Sequence, residues 1–307
     1  MKNDLYSIDI HADDYALSVN NSRRILQLIK DGKLDSISVI PNSSSFDECM
    51  EMLCESWESF AKKPLVSVHL NIADGYSLSG ITDPMLTAKL GESRVFCASW
   101  GRLFLSLFVP GRREAIRAEL KKEFAAQIKA VSGRLPAGVN PTGAREGTLR
   151  LDSHTHTHMI PVVFDAMTDA VHESGMADKL SFVRVSGEPL MPFIRITGTF
   201  PAVNLVKNLI LNVLSIRARR KLRHAGVSFG ILWGILMSGR MDKKRVELLL
   251  PVITEYARRR GEKLEILFHP GRVLQGEEHP EFSRGDDLFV RSDNRDDEYQ
   301  AVTSVCR

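Results

Sequence analysis

The sequence contains few cysteines, and none of them forms a recognisable pair. Four are present in 307 residues, at Cys49, Cys54, Cys97 and Cys306. They show no Cys-x-x-Cys motif and no regular spacing, which argues against a disulfide-stapled scaffold and favours inert thiols in a reducing compartment. The first residues also lack the apolar stretch and small-residue cleavage site of a signal peptide. These absences predict a cytoplasmic protein.

An excess of charge of either sign is also lacking. The chain carries 41 Lys and Arg residues against 38 Asp and Glu residues, a formal net charge of +3. So close a balance produces no overall field that would attract nucleic acid, and we expect no nucleic-acid partner. The chain is 43% hydrophobic, so it can bury a large core. Small neutral molecules remain possible substrates.

The sequence has no apolar run of the roughly 18 to 20 residues needed to cross a bilayer. Its most apolar region, 203–237, is interrupted by Lys207 and by a basic run at 217–224. The basic side chains of this run are Arg217, Arg219, Arg220, Lys221 and Arg223. We expect a helix over about 203–223. Region 203–224 could then lie on an anionic membrane surface or cover the mouth of a barrel. It could also pack on the protein or on a second subunit, with its basic end in water.

Apolar runs of strand length alternate with amphipathic stretches of helix length. The runs occupy residues 5–12, 34–40, 65–70, 148–154, 180–185, 227–232 and 264–268. The clearest helical stretches are 20–30, 112–131 and 243–260. Strands and helices in alternation predict an α/β fold with a parallel sheet, and about seven repeats favour a TIM-barrel-like (β/α) barrel. We expect one domain over 1–307, with long insertions near 71–111 and 187–226 that build a substrate cleft or lid.

Ionisable residues collect where the predicted strands end, which is where barrel enzymes place their active sites. Alternation along the first strand puts Asp9, His11 and Asp13 on one face. Asp13 and Asp14 are adjacent and must point in different directions, so one can bind metal while the other handles a proton. Taken alone, such a pair is as often a helix cap, although Ser18 already offers a cap to the next helix.

Histidines end three of the other strands. His69 closes the third run and is followed by Asn71. Asp152, His154, His156 and His158 occur at every second position, so on a strand they would share one face with the spacing of metal ligands. Burying four such groups without a metal or charged partners is unfavourable.

The last run ends at His269, before Pro and Gly. A tight turn there would aim the ring inward as a candidate general acid, although the motif alone is also an ordinary turn.

Together these strand ends resemble the YdjC-like (ChbG/HpnK) carbohydrate deacetylase family. That family starts with Ala-Asp-Asp-Phe-Gly-x-Ser, and this chain has Ala-Asp-Asp-Tyr-Ala-Leu-Ser at 12–18. Its His-Leu-Asn, Asp-Ser-His-x-His-x-His and His-Pro-Gly motifs are similar to 69–71, 152–158 and 269–271. Further similarity lies at Val183 and Arg184, Glu188 and Pro189, Phe229 and Gly230, Ser238 and Gly239, Asn294 and Arg295, and Glu298. The order and spacing agree over nearly the whole chain.

The resemblance implies a set of site residues. Asp14, His69 and His154 would bind a divalent metal, zinc or magnesium, with Asp13 as the base and His269 as the proton donor. Substrate-binding or supporting roles fall to His11, Asn71, Asp152, His156, His158 and Arg184. Two residues depart from the family pattern. Ala16 replaces the usual Gly, which matters if the turn requires a positive φ, and His11 stands where the family often has Asn.

The implied activity is metal-dependent hydrolysis of the acetyl amide of an N-acetylated sugar or oligosaccharide. The metal would activate a water molecule, and acetate and a free amino sugar would leave. Two alternatives remain. Asp13 and Asp152 could cleave a glycosidic bond, or the chain could be a non-catalytic sugar-binding protein stabilised by its metal.

Overall fold

The computed structural model describes residues 6–305 apart from 107, 110, 137–138, 141–147, 194–200, 278 and 283–286. Cys306, the first five residues and part of the expected insertion at 187–226 therefore lie outside the described residues. Cys49, Cys54 and Cys97 carry free thiols.

Seven parallel strands form the main sheet, each within or beside a predicted apolar run. They are β1 (Ile8–Tyr15), β2 (Ser36–Val39), β3 (Leu65–Leu70), β6 (Leu149–Ser153), β7 (Leu180–Val183), β8 (Ile231–Trp233) and β9 (Leu264–Phe268). The insertion at 71–111 contains a separate antiparallel hairpin, β4 (Thr87–Leu90) and β5 (Ser93–Phe96). The order in the main sheet is β7-β6-β3-β2-β1-β9-β8, so β9 lies beside β1 and the strands follow chain order around a ring.

A single residue joins the two edges of this sheet. Ser228, just before β8, forms a parallel bridge with Phe182 of β7. Its backbone N–H donates to the carbonyl of Ser181 at 3.1 Å, and its carbonyl accepts from the N–H of Val183 at 3.1 Å. The sheet thus curls until its edge strands meet, which confirms the predicted barrel-like α/β fold.

The helices surround the sheet. They are α1 (Val19–Lys30), α2 (Phe46–Trp57), α3 (Trp100–Ser106), α4 (Arg112–Ser132), α5 (Pro161–Glu173), α6 (Ala202–His224), α7 (Lys243–Arg260), α8 (Asp287–Val290) and α9 (Asn294–Ser304). Short 3₁₀ segments cover His154–Met159, Ala177–Lys179 and Pro280–Phe282. Among the helices within the described ranges, none has the length and apolar composition to cross a membrane.

Side-chain caps begin two of the predicted helices. The Ser18 hydroxyl accepts from the Asn21 N–H at 3.2 Å and starts α1, as the sequence predicted. Asp242 accepts from the Arg245 N–H at 3.0 Å and starts α7, which ends at Gly261 with a φ of +61°.

The two faces of the barrel strands differ in polarity. Apolar residues of alternate positions pack against the helices, among them Ile10, Ala12, Ile37, Val66, Val68, Leu151 and Ile266. The intervening positions carry buried polar side chains, among them Asp9, His11, Asp13, Ser36, Ser38, His69, Arg150, Asp152 and Glu265. The main apolar core therefore lies outside the sheet, and a charged network fills the inside.

Candidate metal centre

The end of β1 turns its two aspartates apart. Asp14 has a φ of +67°, and the pairing of β1 with β2 shifts register between Ala12 and Tyr15. The following Ala16 has a φ of +72°, so this turn does require the conformation that glycine favours. The kink directs Asp13 and Asp14 to different partners, as expected from their adjacency.

Asp14, His69 and His154 meet at the carboxyl ends of β1, β3 and β6. Asp14 Oδ1 lies 3.5 Å from His69 Nε2 and 3.2 Å from His154 Nδ1. The three candidate ligand atoms lie within 4.8 Å of one another, and all three residues are buried. The structure therefore brings together the three residues implied as metal ligands.

The surroundings of His69 fit a cation at this point. Its Nδ1 is 2.6 Å from Asp152 Oδ1, which leaves Nε2 facing Asp14, the arrangement that carboxylates impose on metal-binding histidines. Burial alone would lower the pKa of His69, but the Asp13 and Asp152 carboxylates outweigh it and raise the pKa to about 9. The site thus favours positive charge, and two imidazoles with one carboxylate suit a divalent metal.

Arg295 of α9 holds Asp14 from the other side. Its Nη1 is 3.0 Å from Asp14 Oδ2, while its Nε donates to the carbonyl of Gly271 at 2.9 Å. Burial alone would raise the pKa of Asp14, but Arg295, His154 and His69 outweigh it and hold the pKa well below its usual value. Asp14 is therefore an ionised candidate ligand in a fixed orientation.

Asp13 forms a two-point ion pair with Arg184. The Nη1 and Nη2 atoms of Arg184 donate to the two Asp13 oxygens at 2.9 and 2.8 Å. Burial would raise the pKa of Asp13, but Arg184, with His69 and His11, holds it well below its usual value. His11 Nε2 lies 3.0 Å from Asp13 Oδ1. Asp13 is thus ionised and beside the candidate metal ligands, with His69 Nε2 3.8 Å away.

Among the described residues, the donor atoms of two other buried sets also lie within 4.8 Å of one another: His11, Asp152 and Glu265, and Asp13, His69 and Asp152. A cation already pairs with two carboxylates of each set, because the Arg184 guanidinium contacts Asp13, Asp152 and Glu265 at 2.8, 3.2 and 2.5 Å. Arg184 would repel a metal at either position. The set of Asp14, His69 and His154 fits a metal best.

The histidine cluster does not share one face, so that prediction was wrong. β6 ends at Ser153, and the chain then turns through a 3₁₀ segment in which Thr155 and His156 have φ values of +52° and +61°. These left-handed residues break the alternation of a strand. Only His154 of the three histidines faces Asp14.

The remaining two histidines are fixed away from Asp14. His156 Nδ1 lies 3.1 Å from the Ser186 hydroxyl. His158 Nδ1 lies 2.6 Å from the Ser153 hydroxyl and its Nε2 is 2.8 Å from the carbonyl of Arg184. Burial lowers the pKa of His158 to about 4, and burial with the charge of Lys207 holds that of His156 well below its usual value. Both rings are therefore neutral supports of the loop that carries Arg184.

His269 and Asn71 follow the ends of β9 and β3. Phe268 pairs with Ala12, so His269 follows β9 level with Asp13 on the neighbouring strand. The backbone N–H of His269 donates to Glu298 Oε2 at 2.5 Å, and its ring Nδ1 lies 3.5 Å from the same oxygen. The Asn71 side chain instead accepts from backbone N–H groups at positions 73 and 74, and so shapes the loop after β3.

Several contributors were not assigned to the site from the sequence. Ser36 and Ser38 contact the two ring nitrogens of His11 at 2.6 and 2.8 Å. Glu265 accepts from Arg184 Nε at 2.6 Å. The signal for Ser36 and Ser38 was polar residues alternating within an apolar run, which indicates an inward face. Arg295 was matched only as part of the family resemblance and was given no role, because its position near Asp14 depends on the path of α9.

Comparison with known proteins identifies the fold and the family of this chain. The chain is similar to a crystal structure of a proposed cellobiose-phosphate cleavage protein from Enterococcus faecalis V583, with a TM-score of 0.58 and 16% identity. That match covers 97% of this chain and 91% of the other and shows a shared fold. The family described as YdjC-like protein matches residues 7–305. The chain therefore belongs to the YdjC-like protein family.

Proposed function

We propose that this protein hydrolyses the acetyl amide of an N-acetylated sugar or oligosaccharide in a metal-dependent reaction. The observation that carries the proposal is the buried set of Asp14, His69 and His154 beside the ionised Asp13. Membership of the YdjC-like family supports a carbohydrate substrate. A divalent metal bound there would supply a Lewis acid for the amide oxygen and an acidified water.

Asp13 is the proposed proton acceptor. Its pairing with Arg184 and His11 keeps the carboxylate ionised and fixed in orientation. An Asp13 oxygen would take a proton from the attacking water molecule. The ion pair makes Asp13 a weak base, so its contribution would depend on position more than on a high pKa.

His269 is the proposed proton donor to the leaving amine. It follows β9, level with Asp13 on β1, and the Glu298 carboxylate lies 3.5 Å from its Nδ1. Loss of the amine without a proton would leave an unstable anion, so a donor is needed opposite the base.

The donor set favours zinc or another transition metal, because imidazole nitrogen is a softer ligand than the oxygens that magnesium prefers. Magnesium remains the alternative implied by the family resemblance. The bound sugar would be selected by the insertions around the mouth, since loops at strand ends carry specificity.

The experiment is acetate release from a panel of N-acetylated mono-, oligo- and lipid-linked sugars, with metal removed and then zinc or magnesium added back. We expect equal amounts of acetate and free amine, lost with the metal and restored by its return. A folded, metal-loaded protein that releases no acetate from any member would favour the non-catalytic sugar-binding function.

Glycosidic cleavage is less well supported. Asp13 and Asp152 both contact Arg184 Nη2, at 2.8 and 3.2 Å. Burial would raise the pKa of each, but Arg184 and His69, together with hydrogen bonds, outweigh it and the pKa of both is lowered. A glycosidase of this kind needs one carboxyl protonated as the acid. Release of a reducing sugar without acetate would nevertheless favour this alternative.

A further inference from the structure

Helix α6 carries apolar side chains on both its inner and its outer face, and Leu211, Ala218 and Leu222 belong to the buried core. Its asparagines face the protein: Asn204 donates to the carbonyl of Leu236, and Asn208 and Asn212 donate to that of Glu188. Six further apolar side chains of α6 face outward and form what we term the outer stripe: Val203, Val206, Leu209, Ile210, Val213 and Ile216. Members of the stripe are between 41% and 73% exposed. A helix that only covered the barrel would carry polar side chains on this outward face.

A second group of exposed apolar residues lies on the same flank. Leu105, Phe108 and Val109 follow the hairpin insertion, and Phe108 is 81% exposed. Arg113, just after them, and Arg217 of α6 both pair with Asp165 of α5, at 3.3 and 2.9 Å. The shared partner places Arg113 and Arg217 near each other on this flank. The members of the outer stripe follow one face of a single helix, and a contiguous exposed apolar surface of this kind indicates an interaction site.

This flank lies at the end of the barrel that carries the candidate metal centre. Glu188 and Leu236, the partners of the α6 asparagines, follow the carboxyl ends of β7 and β8. Arg217 Nη1 also donates at 3.3 Å to the carbonyl of Pro161, the first residue of α5. The outer stripe precedes Arg217 along α6, so it projects toward the mouth.

The basic side chains at 217–223 of α6 divide into two classes. Arg217 and Lys221 pair with Asp165, and Arg219 pairs with Glu262 at 2.9 Å. Arg220 and Arg223 are exposed at the carboxyl end of the helix, where the Arg223 guanidinium also lies 5.5 Å from the centre of the Phe229 ring. At 100° per residue, Arg220 lies on the same face as Val213 and Ile216. Arg217, Arg219 and Lys221 therefore hold α6 on the barrel, whereas Arg220 extends the outer stripe.

We propose that the outer stripe, with Phe108 and its neighbours, lies on the surface of an anionic lipid bilayer. Residues 203–216 span about 20 Å along the helix axis, which lets the stripe enter the headgroup boundary lengthwise. Residues 202–224 contain no Asp or Glu, so an anionic surface complements this helix. A second copy of the same helix would offer no acidic partner for its arginines. The proposal concerns attachment and does not rest on the proposed reaction.

The test is flotation of the full chain with vesicles of phosphatidylcholine alone or with added phosphatidylglycerol. We expect flotation with the anionic vesicles and release at high salt. A triple variant of Val206→Gln, Val213→Gln and Ile216→Gln should lose it. The control is Leu248→Gln with Leu274→Gln, which changes exposed apolar residues away from α6 and should float like the wild type.

A second variant separates the two classes of charge. Arg220→Gln with Arg223→Gln should weaken binding to anionic vesicles roughly 5- to 30-fold, from about 1 kcal/mol per basic residue reduced by screening. Equal flotation of the wild type and the triple variant, or none from either, would overturn the proposal. The proposal would also fail if light scattering showed a wild-type dimer that is absent in the triple variant, and if the wild type did not bind vesicles. A second copy of the chain would then cover the stripe.

Discussion

The two faces of the barrel strands contribute differently to the molecule. Along β1, Ile10 and Ala12 face the helices, whereas Asp9, His11 and Asp13 face a buried network of charges. The apolar face gains stability from burial that needs no exact partner. The charged face gains nothing unless each ion is matched, because an unpaired buried charge is strongly unfavourable. The inner face is therefore where single changes should have the largest effects.

The largest expected effect is loss of the metal from the inner face. His154→Ala should abolish tight metal binding, as should Asp14→Ala and His69→Ala, since a three-ligand site loses charge and geometry with any ligand. Asp152→Asn, which removes the carboxylate that contacts both His69 and Arg184, should weaken affinity by roughly 10- to 100-fold. Elemental analysis after dialysis measures the metal content of each variant.

The matched controls for the ligands lie in the same segment. His156→Ala and His158→Ala should keep a full complement of metal, because these rings face Ser186 and the Arg184 carbonyl. Stoichiometric metal in His154→Ala together with its loss from His156→Ala would reverse the assignment.

The next largest effect should be the loss of turnover when the proposed proton acceptor or proton donor is removed. Asp13→Asn should bind metal but turn over roughly 10²–10⁴-fold more slowly, because an amide cannot accept the proton. His269→Ala should slow turnover similarly. Near wild-type kcat in either variant, with metal content verified, would remove that residue from the mechanism.

The charge network itself should respond to loss of its central cation. Arg184→Met leaves Asp13, Asp152 and Glu265 without their shared partner, and we expect it to lower the free energy of unfolding by about 3–5 kcal/mol. Urea unfolding of the metal-free protein measures this.

An exposed ion pair provides the contrast for Arg184. Arg117 contacts both oxygens of Asp169 at 2.6 and 2.8 Å on the surface. Arg117→Met should change stability by less than about 1 kcal/mol despite its similar geometry. Equal losses in the two variants would show that burial is not what makes the inner network sensitive.

A smaller effect should appear in the pH dependence of the metal-free protein. The pKa of His69 is raised from 6.5 to about 9 by folding, so the folded state binds this proton more tightly. The resulting stability is complete below about pH 6.5 and is lost as pH rises through 9. It amounts to roughly 3 kcal/mol. Thermal unfolding in a chelator should show the decline.

Two comparisons isolate the contribution of His69. His69→Gln should remove the decline between pH 6.5 and 9. In the wild type, metal affinity should rise over the same interval, because binding requires the neutral imidazole. A metal-free stability that increases over this range would contradict the inferred environment of His69.

The sequence predicted the strands, and which residues lie close to Asp14, better than the path between them. Apolar runs located all seven barrel strands, and the resemblance implied the three residues that meet at Asp14. Alternation failed after Ser153 because Thr155 and His156 adopt the left-handed conformation. Neither residue is a glycine, so nothing in the sequence indicated this conformation. Arg295 lies 281 positions from Asp14, and a contact of that range depends on the whole fold.

The turn that joins β1 to α1 carries Asp14 away from the inner face of the strand. A substitution to glycine in this turn should have only a small effect on stability. Ala16 is buried with a φ of +72°, and its N–H donates to the Ser22 hydroxyl at 2.9 Å. The Ser43 hydroxyl donates to its carbonyl. These contacts hold a conformation that costs a residue with a Cβ roughly 1–2 kcal/mol.

Ala16→Gly would relieve that strain but also remove a buried methyl group, worth about 0.8 kcal/mol, and give the unfolded chain more freedom, worth roughly 0.4–1 kcal/mol. These terms nearly cancel, so we expect a change in stability within about 1 kcal/mol and unchanged metal content. Ala16→Val adds β-branching and volume at the same φ and should destabilise the protein by more than about 2 kcal/mol. Chemical denaturation of both variants makes the comparison. If valine were tolerated as well as glycine, the turn would not be rigid, and the orientation of Asp14 would have to come from Arg295 alone.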